Sequence, residues 1–399
     1  MADIQKRTSA GGTKWDVRYR DESRRQRKRT FDRKADAQRF ANSVETDLVR
    51  GDWIDPNRGR ELFGDWADAW LATTANRKPK TRESYESIVN KHLRPRFGKA
   101  PIAAIDYPTV LAYVAELRDA GAAPKTVRNI RDVMRMIFKL AVRSGALKSN
   151  PVEDIPVGQT QRAEMVFLEP EQIMDLAREV AKPPPRYRRG ERRVAGYPEY
   201  GLLVRFAAFT GLRAGELVGL RVKDVQLMRR RVHVYQSASE AYGELQIVAT
   251  KTYERRSVPI PKSLIDDLAL QVAERGQDDF VWQSPQGGPF RYSNWMKRHF
   301  KPAVERSTAP DATRFHDLRH TYAALLIAQG AHPRAIMERM GHSTITVTLD
   351  NYGHLFPKLD EALDDALDDV YQVSSIGAST AIDSHSVTRP FGRQETEAS

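Results

Sequence analysis

Four short stretches in the second half of this sequence hold residue types that chemistry uses. In T-G-L-R-A-G-E-L, Thr210 to Leu217, Gly211 ends one helix and Arg213 starts the next. Glu216, three residues on, then shares a helical side with Arg213. In V-A-T-K-T-Y-E-R-R-S-V-P-I, Lys251 lies between two strand-like runs, at or near a hairpin tip. In H-D-L-R-H-T, His316 and Arg319 stand three apart and project the same way, while the adjoining His320 is expected to face elsewhere. In M-G-H-S-T-I-T-V-T-L-D-N-Y-G-H, His342 sits at a Gly-initiated turn and Tyr352 follows ten residues later. The chain has no cysteine, which excludes disulfides, Cys-ligated zinc, iron–sulfur clusters and thiol nucleophiles. What remains are oxygen and nitrogen nucleophiles, arginine forks for anionic oxygens and histidines for protons. Singly, each stretch is weak: an Arg–Glu pair on a helix is more often a surface ion pair, and a lone tyrosine more often a packed aromatic.

The elements that must position these residues fill 399 residues, enough for two or three domains. The formal net charge is +12, and residues 357–399 are net −6, so the basic charge belongs to the preceding body and calls for a polyanionic partner. No apolar run approaches the ~18 residues of a spanning helix, and no apolar stretch follows the first charges, so the expectation is no membrane association and a cytoplasmic location. The fold class expected is α+β and multidomain. Residues 1–56 read as a small sheet, with Trp15, Val17 and Tyr19 alternating with charges, backed by a helix over Lys34 to Arg50. Arg18, Arg20, Arg27, Lys28 and Arg29 on its strands are candidate DNA contacts. Residues 61–150 read as helices only, with Lys80, Arg82, Lys91, Lys125, Arg128 and Arg131 in a basic stripe that can face phosphates. Residues 151–166, with two prolines and no periodicity, read as a linker. Residues 167–372 read as a mixed, mainly helical domain, and 373–399 as a polar tail expected to be disordered.

In this order and spacing the four stretches resemble the tyrosine recombinases, the lambda-type phage integrases, over about Phe167 to Tyr371. The layout before them is similar more weakly: a helical core-binding domain and an N-terminal module like the arm-binding domain of heterobivalent integrases. The resemblance implies that Tyr352 is the nucleophile, with Arg213, Lys251, His316, Arg319 and His342 around it and Glu216 as acidic partner of the first motif. It implies a site-specific recombinase that acts through a covalent 3′-phosphotyrosine with no metal, ATP or other cofactor. Its partners would be double-stranded DNA at core-type and arm-type sites, a homotetramer in the synaptic complex, a DNA-bending host factor and an excisionase.

The chemistry agrees with those roles. A phosphotyrosine keeps the phosphodiester energy that hydrolysis would lose. A tyrosine hydroxyl is mostly protonated at neutral pH and needs basic help, for which His316 is the natural proton acceptor or hydrogen-bond partner. Arg213 and Arg319 can stabilise the charge of the pentacoordinate transition state. Lys251 can protonate the departing 5′ oxygen, and His342 can add a hydrogen bond to the phosphate. Tyr322, six residues past His316, is expected in the core, and Tyr371 lies in an acidic stretch that repels phosphate. A type IB topoisomerase would use similar chemistry for relaxation alone. A metal nuclease built on His316 and Asp317 lacks a second ligand cluster, and a DNA-binding protein without catalysis leaves the whole motif set unexplained.

Overall fold

The computed structural model describes residues 2–9, 12–20, 26–50, 58–158, 164–183, 196–249, 256–356, 367–369 and 371. Lys251, residues 184–193 of the basic insert and the 373–399 tail lie outside the described residues. Strands β1 (Asp3–Ser9), β2 (Gly12–Arg20) and β3 (Gln26–Phe31) form an antiparallel sheet in that order. Alternation along β2 turns Val17 and Tyr19 toward α1 (Lys34–Arg50), where they pack with Ala37, Ala41 and Val44.

The next unit is helical: α2 (Phe63–Ala72), α3 (Pro79–Ile88), α4 (Arg94–Phe97), α5 (Tyr107–Asp119) and α6 (Pro124–Arg143). A π-helical turn at Val89–Leu93 joins α3 to α4. Helix α6 buries Val127, Ile130, Met134, Ile137, Phe138 and Ala141, the three-and-four spacing of an amphipathic helix, against Phe63, Trp66 and Trp70. Val152 and Ile155, expected in a linker, are buried in this same core. The two prolines stop a helix but leave apolar side chains free to fold back. Arg131 fastens the return, donating to the Ile155 carbonyl at 3.1 Å.

The largest unit comprises α7 (Pro170–Ala181), α8 (Pro198–Thr210), α9 (Ala214–Val218), β4 (Val225–Gln226), β5 (Arg231–Val234), β6 (Gln236–Ala241), β7 (Glu244–Ala249) and β8 (Arg256–Pro259). It closes with α10 (Ile265–Val272), α11 (Tyr292–Trp295), α12 (Lys301–Val304), α13 (Asp317–Ala328), α14 (Pro333–Met340) and α15 (Ile345–Tyr352). The strands form two antiparallel groups, β4-β5-β8 and β6-β7. Strand β6, Q-S-A-S-E-A, carries no apolar alternation that marks a strand; it packs through small residues. A Cβ on Gly215 of α9 would stand 2.4 Å from Ser237 Oγ and 2.8 Å from the Ala238 carbonyl, so α9 lies directly on the strand. At the β6–β7 turn, Tyr242 donates its backbone N–H to Glu83 and its hydroxyl to Glu86, each at 2.9 Å, joining this unit to α3.

Burial of Ile155 gives a test. Ile155→Ala should lower urea stability by about 2–5 kcal/mol, the range for truncating a core aliphatic; an exposed linker position would cost about 0.5 kcal/mol or less.

Candidate active site

The site is assembled around one carboxylate. Glu216 is 3% exposed, and Arg213 meets it from the N-terminus of α9, donating its backbone N–H to Oε2 at 2.8 Å and Nη1 to Oε1 at 2.9 Å. Arg256, on β8, grips the same carboxylate with both terminal nitrogens at 2.9 and 2.6 Å. Burial alone would raise the Glu216 carboxyl, but the hydrogen bonds and charge of Arg256, then the charge of Arg213, hold it at about 2. Sequence reasoning missed Arg256. Its signal was an arginine on the same side of a short strand as the buried Val258, where a charge needs an opposite partner.

Two helix ends supply the rest of the frame. Helices α8 and α14 end in left-handed glycines, Gly211 (φ 64°) and Gly341 (φ 61°). A Cβ on Gly211 would stand 2.3 Å from the Tyr322 ring, and one on Gly341 2.9 Å from the Arg256 guanidinium, so glycine is required twice over. The last carbonyls of a helix lack intrahelical partners and carry partial negative charge. Arg319, 4% exposed, donates to the Gly211 carbonyl at 2.5 Å and to the Met340 carbonyl. Arg213 donates its other terminal nitrogen to the Gly341 carbonyl at 3.0 Å. Each guanidinium is thus fixed by two neighbours, with further N–H groups of its five left over for an incoming anion. Burial, then the charge of Arg213, pushes Arg319 down to about 9, still charged at neutral pH.

Tyr352 ends α15 and is 1% exposed. Its hydroxyl lies 2.8 Å from His320 Nδ1. This corrects the expectation for His320: four residues along a helix return a side chain to within about 40° of the first, so His316 and His320 share a face, their rings perpendicular at 4.8 Å. No hydrogen bond joins His316, the more exposed of the two histidines, to Tyr352 among the described residues, and burial, then the charges of His320 and Arg319, lowers it to about 4. His342 lies nearly parallel to the Tyr352 ring, centroids 6.4 Å apart, and its Nδ1 is held 2.9 Å from the buried Thr348 hydroxyl, one turn before Tyr352. Burial, then Arg319 and Arg213, lowers His342 to about 4. Burial raises Tyr352 to about 12 even though Arg319 and Arg213 pull the other way.

The competing residues sit elsewhere. Tyr322 is buried, as its place on α13 requires, and Tyr371 is exposed. Asp317 is fully buried and its carboxylate is bonded to Arg314 at 2.6 and 3.0 Å. Among the described residues, no three or more His, Asp or Glu side chains gather in a way that could hold a metal ion.

The candidate DNA contacts divide. Register pairs Arg18 with Lys28 and Arg20 with Gln26, placing Arg18, Arg20 and Lys28 on the sheet face away from α1. Arg27 and Arg29 pair with Tyr19 and Val17 and so share the helix side, where Arg29 lies over the Phe31 and Phe40 rings at 5.3 and 4.8 Å. The pleat therefore divides the five candidates between the two faces of the sheet. In the helical unit Lys91 and Lys125 are exposed, and Lys80 and Arg82 pair with Glu83 and Glu86 at 2.7 and 2.9 Å. Arg128 and Arg131 each donate to a backbone carbonyl, of Gly158 at 3.3 Å and of Ile155 at 3.1 Å. No described helix is long and apolar enough to cross a membrane.

Arg256→Met should cost about 3–5 kcal/mol in urea denaturation near pH 7, the penalty for removing one partner of a buried ion pair. The Glu216 carboxyl lies below its unfolded range, so its contribution is complete above about pH 4.5 and disappears as pH falls toward 2. The difference between variant and wild type should shrink across that window.

Comparison with known proteins bears on the two larger units. Residues 168–358 match the phage integrase family and residues 63–156 the phage integrase central domain. The ICEBs1 integrase of Bacillus subtilis is 28% identical, over 73% of this chain and 78% of its own length. The integrase of Staphylococcus phage L54a is also 28% identical, over 77% of this chain and 91% of that one. Among solved structures, the Tn1549 transposon integrase in complex with circular intermediate DNA superposes with a TM-score of 0.62 at 22% identity, over 77% of this chain and all of that one. A lambda integrase tetramer bound to a Holliday junction gives 0.56 at 18% identity, over 86% of this chain and 96% of that one. With the two matches spanning both larger units, the chain belongs to the phage integrase, or tyrosine recombinase, family and is a tyrosine-type site-specific DNA recombinase.

Proposed function

We propose that this recombinase cuts and rejoins DNA at attachment sites through a 3′-phosphotyrosine on Tyr352, without metal or ATP, to integrate and excise a phage or other mobile element. The observation that carries the reading is the Tyr352 hydroxyl in a water-poor site beside Arg213 and Arg319, whose charges already act on it. In that reaction the hydroxyl attacks phosphorus, the P–Oη bond forms and the P–O5′ bond breaks. Arg213 and Arg319 take the non-bridging oxygens, and their carbonyl anchors keep the forks oriented before substrate arrives. His316, edge-on to His320, and His342, stacked on the tyrosine ring, are the proposed further phosphate contacts. Lys251, between β7 and β8 in sequence, is the proposed acid for the 5′ oxygen. The exposed face of the N-terminal sheet, with Arg18, Arg20 and Lys28, is the proposed arm-site surface.

Partners follow from the relatives. Transposon and lambda integrases bound to DNA, one of them as a tetramer on a Holliday junction, support core-site DNA and a synaptic homotetramer for this chain as well. A DNA-bending host factor, an excisionase and a bacterial cytoplasmic setting complete the proposal.

Incubation in EDTA with supercoiled DNA carrying the segments that flank its gene, quenched in detergent, should yield a protein–DNA adduct with wild type and none with Tyr352→Phe, while both bind that DNA equally. Adduct formation by Tyr352→Phe, or cleavage that EDTA abolishes, would overturn the reading.

A further inference from the structure

We propose that His320, rather than His316, is the catalytic base that takes the proton from Tyr352. The inference rests on Tyr352 being the nucleophile, as proposed above. His320 Nδ1 is 2.8 Å from the hydroxyl that must lose its proton. With the hydroxyl donating, His320 is the neutral tautomer that carries hydrogen on Nε2 and a lone pair on Nδ1. Tyr352 is 1% exposed, which leaves little room for bulk water to act as the base.

The surroundings keep His320 neutral and ready. Burial lowers its affinity for a proton, as do Arg314 and Arg319, while the buried Asp317 works the other way. His316 packs edge-on against it from the preceding turn, and from the α14–α15 side the facing groups are Tyr352 and His342. The buried Asp317 carboxylate near the ring steadies the imidazolium once formed. His316, the more exposed of the two and with no hydrogen bond to Tyr352 among the described residues, is left to the phosphate.

The step balances. As P–Oη forms and P–O5′ breaks, the hydroxyl proton passes to His320 Nδ1 and the 5′ oxygen takes a proton from the general acid, for which Lys251 is the candidate. In rejoining, the 5′ hydroxyl attacks, its proton returns to that acid, and the His320 imidazolium protonates the departing tyrosine oxygen.

The test is single-turnover adduct formation by the full chain on a nicked duplex carrying the cleavage site mapped by the EDTA experiment. DNA affinity is measured alongside, and wild type and Tyr352→Phe bracket the assay. A wild type that forms no adduct defeats the recombinase chemistry as a whole, separately from the role of His320. His320→Asn should lower the rate at pH 7 by about 10²- to 10⁴-fold, the usual worth of a general base, with affinity unchanged. Its rate should then climb about tenfold per pH unit as hydroxide replaces the lost base, whereas His316→Asn should keep the wild-type profile at a lower rate. A 5′-phosphorothiolate, whose leaving sulfur needs no acid, should leave the His320→Asn defect in place. His320→Gln serves in its stead should the Asn variant lose affinity. A rate within threefold of wild type, a wild-type pH profile in the His320 variant, or rescue by the phosphorothiolate would overturn the assignment.

Discussion

The structure depends on keeping positive charge concentrated in a place where water is scarce. Three arginines, Arg213, Arg256 and Arg319, converge near one another, and their mutual repulsion would scatter them without compensation. Glu216 supplies one negative charge to two of them, and three helix-end carbonyls, of Gly211, Met340 and Gly341, supply partial charge to the third and to Arg213. The compensation is incomplete: the arginines outnumber the one carboxylate, so the site keeps a surplus that only an anion completes. A phosphodiester in its transition state, with charge spreading over non-bridging oxygens, fits that surplus better than its ground state does.

Around this frame the titrating groups are sorted by depth. Tyr352, buried, keeps its proton until an acceptor takes it, and the nearest acceptor is the ring of His320. His342 is fixed by Thr348 from the same helix as Tyr352, so the two rings are held to one element. Low proton affinity at His320 and His342 keeps added positive charge out of a site that already carries enough.

Much of this was legible in the sequence. Arg213 and Glu216 were placed on one side of α9, and His316 with Arg319 on α13, because helical spacing of three is a strong constraint. Alternation marks β2, and the stretch from Arg25 to Phe31 marks its neighbour β3, but β1 carries no such mark; strand-like stretches at Arg231 to Val234, Leu245 to Ala249 and Ser257 to Ile260 match β5, β7 and β8 to within a residue. Arg256 stayed hidden because its partner lies forty residues away, and no local pattern ties β8 to α9. His320 was misjudged by comparing it with its neighbour Arg319 and not with His316, four residues back. Val152 and Ile155 were given to a linker because proline marks where a helix stops, not where a core ends. The basic stripe was read as one surface, yet pairing with Glu83, Glu86 and backbone carbonyls engages several of its members. Such tertiary partners cannot be read from charge counts.

The central claim is that the phosphoryl group is carried on Tyr352. Mass spectrometry of the proteolysed protein–DNA adduct, after nuclease trimming, tests it most directly. The account predicts a nucleotide 3′-phosphate on the peptide that contains Tyr352, and on no other residue. A nucleotide on Tyr322, Tyr371 or a serine, or cleaved DNA with no modified peptide at all, would contradict it.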